Sequence, residues 1–404
     1  MKRFRLPRLT FWSGLFYCIL AVGLYSTVVR FFGGLGASTH LSDQFPWGLW
    51  IGFDVLCGVG LAAGGFIVAA TVYLFNLQDY KPILRPAILT AFLGYILVIV
   101  GLMFDLGRPW NIWHPLIMWN PHSVMFEVGW CVMLYSTVLA LEFSPIVFER
   151  LNLERPKKII HSVTIPLVIL GVILSSLHQS SLGSLFLIVP AKLYPLWYSP
   201  NLPYLFFVSA LAVGPAMVMV ESYFSSRAFH REIEIGILKN LGKVSAVALA
   251  LLLVLKVEDI LSMHLAPYVF TFNFEAVMYW VEIMFGIVVP MVLLFQSKIR
   301  ASQQGLFVSS LFIVLGFILN RLNVSLTALE HYAPVRYFPS WMEISITLMI
   351  VAIGFVAFRL AVQYLPIFIV EEPEEAPKIP VPAAEPYDVV SFIEVPTAGQ
   401  AGIH

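Results

Sequence analysis

Charge is scarce in this sequence. Only 12% of its 404 residues are Asp, Glu, Lys or Arg, where a globular protein carries about 25%. Mean hydropathy is +0.85 and 59% of residues are hydrophobic. No soluble domain of this length buries so much apolar surface, so a soluble enzyme is excluded. The formal net charge is zero, which argues against nucleic acid as a partner. Cysteine is scarce too. Cys18, Cys57 and Cys131 all fall in apolar runs and form no C-x-x-C pair, so no iron–sulfur or zinc site is encoded. A small-residue cleavage site is missing after the basic amino terminus. The apolar run of about twenty residues that follows therefore reads as an uncleaved first span.

What is present is a long series of apolar segments. A span needs about 20 residues, and that rule predicts about ten transmembrane helices in an all-α integral membrane protein. They fall near 11–31, 50–75, 86–106, 122–143, 161–181, 203–224, 243–263, 275–296, 305–329 and 341–365. About sixteen of the twenty-four Lys and Arg residues sit in alternate loops. These are the amino terminus (Lys2, Arg3, Arg5, Arg8), Lys81 with Arg85, Arg150 to Lys158, Arg227 to Lys243, and Lys298 with Arg300. Basic loops stay on the cytoplasmic side, which puts both termini of a ten-helix chain there. After about residue 370 the composition changes to an acidic, Pro-rich tail, 371–404, with Glu371, Glu372, Glu374 and Glu375. Such a segment cannot bury a core and is expected to be mostly disordered.

The middle eight helices suggest two four-helix bundles with one helix flanking each end. His122 to Glu127 opens the fourth helix and Glu275 to Trp280 opens the eighth in a related way. Phe104-Asp105 ends the third helix as Glu258-Asp259 ends the seventh. Possible repeat units are 48–181 and 203–329 within a membrane domain of 1–370. Repeats often place a site near their interface.

An ionisable side chain at the centre of a span costs about 2.5–3.5 kcal/mol on insertion scales. This chain carries Asp54, Asp105, Glu127, His178, Glu221, Lys256, Glu258, Asp259, Glu282, Arg321 and Glu343 in or near its spans. Counting from helix ends puts nearly all of them toward the outer side, with Lys256, Glu282 and Arg321 somewhat deeper. Glu142 and Glu221 lie near the cytoplasmic ends, across an apolar gap. One reading is structural: Lys256 and Arg321 neutralise Glu282 and fix helix packing. The other is a polar pocket that exchanges protons with the outer face.

His178 lies in Ser175 to Ser184, near the outer end of the fifth helix. A neutral imidazole can donate to a quinone carbonyl and pass protons near neutral pH; the plainer role is a hydrogen bond that caps the helix end. No helix pair offers two histidines well inside the membrane, so a b-haem, which needs two axial ligands, is not expected. Trp47, Trp50, Trp110, Trp113, Trp119, Trp197 and Trp341 read mainly as an interfacial belt. Gly58, Gly60, Gly64 and Gly65 read as a close helix contact.

An ordered set of segments also carries a likeness. It comprises Phe45 to Asp54 with the glycines that follow, Arg85-Pro86-Ala87, Asp105 to Arg108, Leu141-Glu142-Phe143, His178 to Ser181, and Phe338 to Trp341. From about residue 41 to 365 the chain resembles the NrfD/polysulfide-reductase membrane-subunit family. It looks most like the HybB-type membrane subunit of periplasmic nickel–iron hydrogenases. The resemblance implies a subunit without haem or iron–sulfur cluster in the cytoplasmic (inner) membrane of a bacterium or archaeon, exchanging electrons with menaquinone or ubiquinone. Its implied partners are a periplasmic ferredoxin-like iron–sulfur subunit and the large and small hydrogenase subunits, together with membrane lipid. The same branch includes DsrP-type subunits of sulfate-reducer complexes.

On that basis the quinone is expected among the second to fifth helices. Its contacts would be His178, Asp105, Asp54, Glu127, Arg108, Gln179 and Ser180. Proton transfer is expected at Glu221, Lys256, Glu258, Asp259, Glu282 and Arg321. A secondary transporter is the rival class; it would use a broken helix, and Gly214-Pro215 is the one such site.

Overall fold

The computed structural model describes residues 10–368; the amino-terminal basic cluster and the acidic tail lie outside the described residues. Ten long helices account for most of the described chain: α1 (Phe11–Gly33), α2 (Trp50–Tyr73), α3 (Lys81–Asp105), α4 (Val124–Arg150), α5 (Thr164–Ser184), α6 (Leu202–Phe229), α7 (Ile235–Ser262), α8 (Phe274–Phe295), α9 (Gln303–Glu330) and α10 (Trp341–Tyr364). Nine of these, among the described residues, are long and apolar enough to cross a membrane. The remaining one, α7, has 28 residues, about 42 Å at 1.5 Å per residue. It packs along α6 and α8. The chain is an all-α multi-pass membrane protein, with ten long helices among the described residues.

Several helices start at polar caps. Ser123, Asn273 and Ser302 accept from the backbone of the first turns of α4, α8 and α9. Thr10 and Ser340 form reciprocal capping boxes with Ser13 and Glu343. Each cap satisfies orphan N–H groups.

Helices α2 to α5 close into one ring: α2 packs on α3 and α5, α3 on α4, and α4 on α5. Helices α6 to α9 close into a second ring with the same neighbour order. The rings meet where α5 and α2 pack on α6, and where α2 packs on α9. Helix α1 pairs with α10, and α10 lies on α3 and the start of α2. Large apolar side chains such as Trp12, Leu24, Phe32 and Phe355 are exposed on this pair, as the lipid-facing surface of a membrane helix requires.

The basic loops gather on one face, here termed inner. Arg85 pairs with Glu149 at 3.0 Å and donates to the Pro366 carbonyl at 2.7 Å. Arg150 donates to the Tyr364 carbonyl, and Arg231 lies over the Phe368 ring. The opposite face is termed outer.

Two local features escaped the sequence reading. The first is π-helical turns within α2 (Trp50–Val55), α8 (Met284–Val288) and α9 (Asn323–Thr327). Such turns are rare and often mark functional sites. The second is the continuity of α6 through Gly214-Pro215. A Cβ at Gly214 would sit 3.0 Å from the backbone of Ala63 and Gly64, so this glycine serves the α2–α6 contact. The broken helix expected for a transporter does not form there.

Candidate functional site

The polar residues of the spans assemble into three groups. The first lies in the core of the α2–α5 ring. His178 is fully buried, and its Nδ1 is 2.9 Å from the Tyr95 hydroxyl. Gln179 donates to the Val59 carbonyl at 3.0 Å. The Tyr135 ring packs edge-on against Tyr95 with centroids 4.7 Å apart. Four buried polar atoms here have no partner: His178 Nε2, Gln179 Oε1, Tyr135 Oη and Ser175 Oγ. Leaving a buried polar atom unpaired costs about 1–3 kcal/mol, so a group of four implies ordered water or a ligand. Toward the outer face, Ser181 donates to Glu127 at 2.5 Å, and Glu127 is itself exposed. Ser180 is half-buried, with its carbonyl accepting from Ser184. Arg108 is exposed in the loop after α3.

The second group sits where α1, α2, α3 and α10 meet. Asp54 is buried and accepts from the Thr347 hydroxyl at 2.7 Å. The Oδ1 atom of Asp105 is buried without a partner. Arg30 donates to the carbonyls on either side of that residue, Phe104 and Leu106, each at 2.7 Å. Glu343 is fully buried and accepts from the backbone of His40 at 2.9 Å, from Ser340 at 3.1 Å, and from the Tyr337 hydroxyl. Burial and the adjacent Glu343 carboxylate push Tyr337, in the outer loop, above its ordinary value, so it donates.

These two groups are separate. His178 contacts Tyr95, ten residues before Asp105 on α3, which is about 15 Å along the axis. One quinone ring cannot touch both. The expected single pocket spanning His178, Asp105 and Asp54 is therefore divided by α3: His178 faces into the ring, and Asp54 and Asp105 face the flanking pair.

The third group fills the outer half of the α6–α9 ring. Glu282 accepts from Lys256 (3.1 Å), Trp197 (2.8 Å), Asn320 (2.8 Å) and Asn323 (2.9 Å). The Lys256–Glu282 pair is the one buried ion pair among the described residues. Arg321 is not paired directly with Glu282. It donates to Asn320 at 2.6 Å and Ser209 at 2.7 Å, and its guanidinium lies over Phe206 and Phe317. Asp259 accepts from Ser199 and Asn201, and Asn201 also donates to the exposed Glu258. A partly open cavity of about 40 Å³ lies beside Lys256, Glu282 and Asn320, room for a few waters. An outer cleft of about 230 Å³ opens between Phe45, Trp47, Lys192, Leu329 and Tyr332, near the outer ends of α2, α5 and α9.

On the inner side, Glu221 accepts from Thr90 at 3.0 Å. The height between His178 and this pair is not purely apolar: the hydroxyls of Tyr95, Tyr135 and Ser175 occupy it. Counting charges missed the two tyrosines, because a tyrosine in a span reads as an aromatic. Asn320 and Asn323 were legible as polar interruptions of α9, and Arg30 as a charge within α1. The tryptophans divide. Trp110, Trp113, Trp119 and Trp341 are exposed, as a belt requires, whereas Trp50 and Trp197 are buried indole donors, Trp50 to the backbone carbonyl of Glu343 and Trp197 to the carboxylate of Glu282.

Among the described residues no group of His, Cys, Asp and Glu is arranged to hold a metal ion. A b-haem held by two imidazoles does not fit either. His178 is the one histidine within the ten long helices, and its Nδ1 is engaged by Tyr95.

Comparison with known proteins agrees with this architecture. The profile of the family described as polysulphide reductase, NrfD matches residues 37–333. A protein of Nitratidesulfovibrio vulgaris is 41% identical, over 86% of this chain and 92% of its own length. The probable Ni/Fe-hydrogenase 2 b-type cytochrome subunit of Escherichia coli is 34% identical, over 86% of this chain and 90% of its own. The menaquinone reductase integral membrane subunit of N. vulgaris is 28% identical, over 93% and 94%. A profile match across most of the chain, with relatives above 30% identity over nearly their whole length, makes this protein a member of the NrfD family of integral membrane subunits.

Proposed function

We propose that this chain is the quinone-reactive subunit of a redox complex on the outer face of a prokaryotic cytoplasmic membrane. Both termini are cytoplasmic in this reading, which the gathering of basic side chains on one face supports. Electrons pass between quinone and a docked ferredoxin-like iron–sulfur subunit, whose catalytic partner is a nickel–iron hydrogenase. The E. coli relative, named as a hydrogenase subunit, supports the hydrogenase assignment, and the N. vulgaris relative, named for menaquinone reductase, supports the quinone. Segments 48–181 and 203–329 are taken as two copies of one unit, since each closes a ring with the same neighbour order.

One observation carries the site: His178 Nε2 and Gln179 Oε1 are buried without partners in the first ring. With Tyr95 donating to Nδ1, Nε2 carries the hydrogen and is free to donate to a quinone carbonyl. The Ser181–Glu127 contact leads from this height to the outer surface. Quinone plus two electrons and two protons gives quinol; the electrons come from the partner. His178 gives its Nε2 proton to one carbonyl oxygen as the Tyr95 proton moves to Nδ1. Outer water, by way of Glu127 and Ser181, returns that proton to Tyr95 and supplies the second one to the other oxygen. The second ring, with Lys256, Glu282, Arg321, Asp259 and Glu258, holds exchangeable protons on the outer side. Tyr135, Ser175 and Glu221 offer a hydroxyl-and-carboxylate route inward.

The test is gentle purification of the intact complex, identification of its subunits, and quinone reduction by the parent beside His178→Ala. Co-purification of an iron–sulfur protein, with activity lost at unchanged assembly, supports the reading. A chain without redox partner or quinone activity sinks it.

A further inference from the structure

Helices α1 and α10 lie outside the matched family region, 37–333. A pair that served only as a lipid-facing anchor would have no use for buried charge. Yet Arg30 on α1 is 2% exposed and Glu343 on α10 is 0% exposed. Ser26 and Ser345 are joined at 2.7 Å across the pair, so the two helices form one unit.

The geometry stacks two levels. At the lower level Asp54 of α2 meets Thr347 of α10 and abuts α3 at Gly101, where an added Cβ would lie 2.7 Å from the Asp54 Cβ. One turn outward on those two neighbours stand Glu343 and Asp105, each four residues along its helix, about 6 Å. Arg30 grips the α3 terminus on both sides of Asp105. Above them, Leu106 and the exposed Gly107 and Arg108 reach the outer surface.

The charges do not balance. Three carboxylates face one guanidinium. Glu343 accepts from two backbone N–H groups and from Tyr337, so both of its oxygens are already engaged by donors. Arg30 sits at the α3 C-terminus, where a cation is favoured, and is the guanidinium beside Asp105. One guanidinium cannot balance three carboxylates, and Asp54 has no cation of its own among the described residues. The other groups facing them are Thr347, Cys57 one turn along α2, the His40 backbone and Tyr337, none of them positive. A buried carboxylate without counter-charge takes up a proton rather than stay ionised.

We infer that Asp54 and Asp105, completed by Arg30, Glu343 and Thr347 from the flanking helices, form a proton-holding site that exchanges with outer water. Asp105, half-buried beneath the outer loop, is the exchanging end and Asp54 the inner store. Each transfer breaks one carboxyl O–H bond and forms another on the neighbouring carboxylate or on water; no electron moves. The site deepens the quinone reading, because the protons that reaction releases or consumes need a reservoir on this face.

The test is infrared spectroscopy of the whole complex purified from membranes, in H2O and D2O at neutral pH, for the parent, Asp54→Asn, Asp105→Asn and Glu343→Gln. The expected result is a carboxylic-acid C=O band that shifts on deuteration. It should lose a component in each Asp→Asn variant and none in Glu343→Gln. Asn is nearly isosteric with a neutral Asp, so both Asn variants should assemble and melt like the parent. A band unchanged in both Asn variants, or one lost in Glu343→Gln, overturns the inference. Quinone reduction is assayed on the same samples. An inactive parent with the expected bands would sink the quinone reading and leave this site standing. An active parent without them would do the reverse.

Discussion

Glu282 gives the sharpest stability prediction, because four donors converge on one carboxylate within the membrane. In Lys256→Met the ammonium is replaced by an apolar side chain of similar length. Glu282 keeps Trp197, Asn320 and Asn323 as neutral donors but loses the one ion-pair partner it has among the described residues, at 3.1 Å. Breaking one side of a buried pair costs about 3–5 kcal/mol. The three remaining donors reduce the desolvation left on Glu282, so the lower end, about 3 kcal/mol, is expected. In Lys256→Met with Glu282→Gln both charges are gone. The Gln carbonyl still accepts from two of the neutral donors, and replacing a whole pair is often nearly neutral. The double variant should therefore recover about 2 kcal/mol relative to the sum of the singles, a coupling typical of residues in contact. The measurement is a denaturant titration in mixed micelles, followed by tryptophan fluorescence, on all four proteins. Additive single effects, with no recovery in the double, would refute the claim that the pair is ionised and mutually dependent.

The remaining predictions concern other parts of the molecule. His178→Ala should lower quinone reduction by about 10²-fold or more, the scale of a lost proton donor; Tyr95→Phe should have a smaller effect, and a Tyr95→Phe rate equal to the parent's would remove the Tyr95–His178 relay. Gly316→Ala places a Cβ 2.0 Å from the Gly286 Cα. Since backbone cannot yield as a side-chain tip can, a loss of about 1–3 kcal/mol is expected on thermal melting. Cysteines introduced at Lys157 and Trp113 should react with a membrane-impermeant thiol reagent from opposite sides of sealed vesicles, and labelling of both from one side would overturn the topology.

Much of the fold was legible because the bilayer imposes it. A run of about twenty apolar residues must be a helix, since every backbone group has to bond within its own segment. Alternating basic loops marked one face, and the structure gathers Arg85, Arg150 and Arg231 around the end of α10 on that face. The pairing of Lys256 with Glu282 was also within reach, because an ion that cannot find water must find a counter-ion. Which residues share a pocket was not. Asp54, Asp105 and His178 all lie toward the outer side in sequence terms, but rotation about a helix axis is invisible to a count along it. Only the packing of α10 on α3 turned the two aspartates away from the ring that encloses His178. The same limit hid the tyrosine hydroxyls in the first ring and the split among the tryptophans. An aromatic residue at a given depth can face lipid, stack in a core or donate to a carboxylate, and its neighbours on other helices decide which. Sequence alone determined membrane class, helix number, the basic face and the family. The tertiary structure decided how the buried charges divide into three groups, because hydrogen bonds between helices depend on azimuth and crossing angle as well as depth.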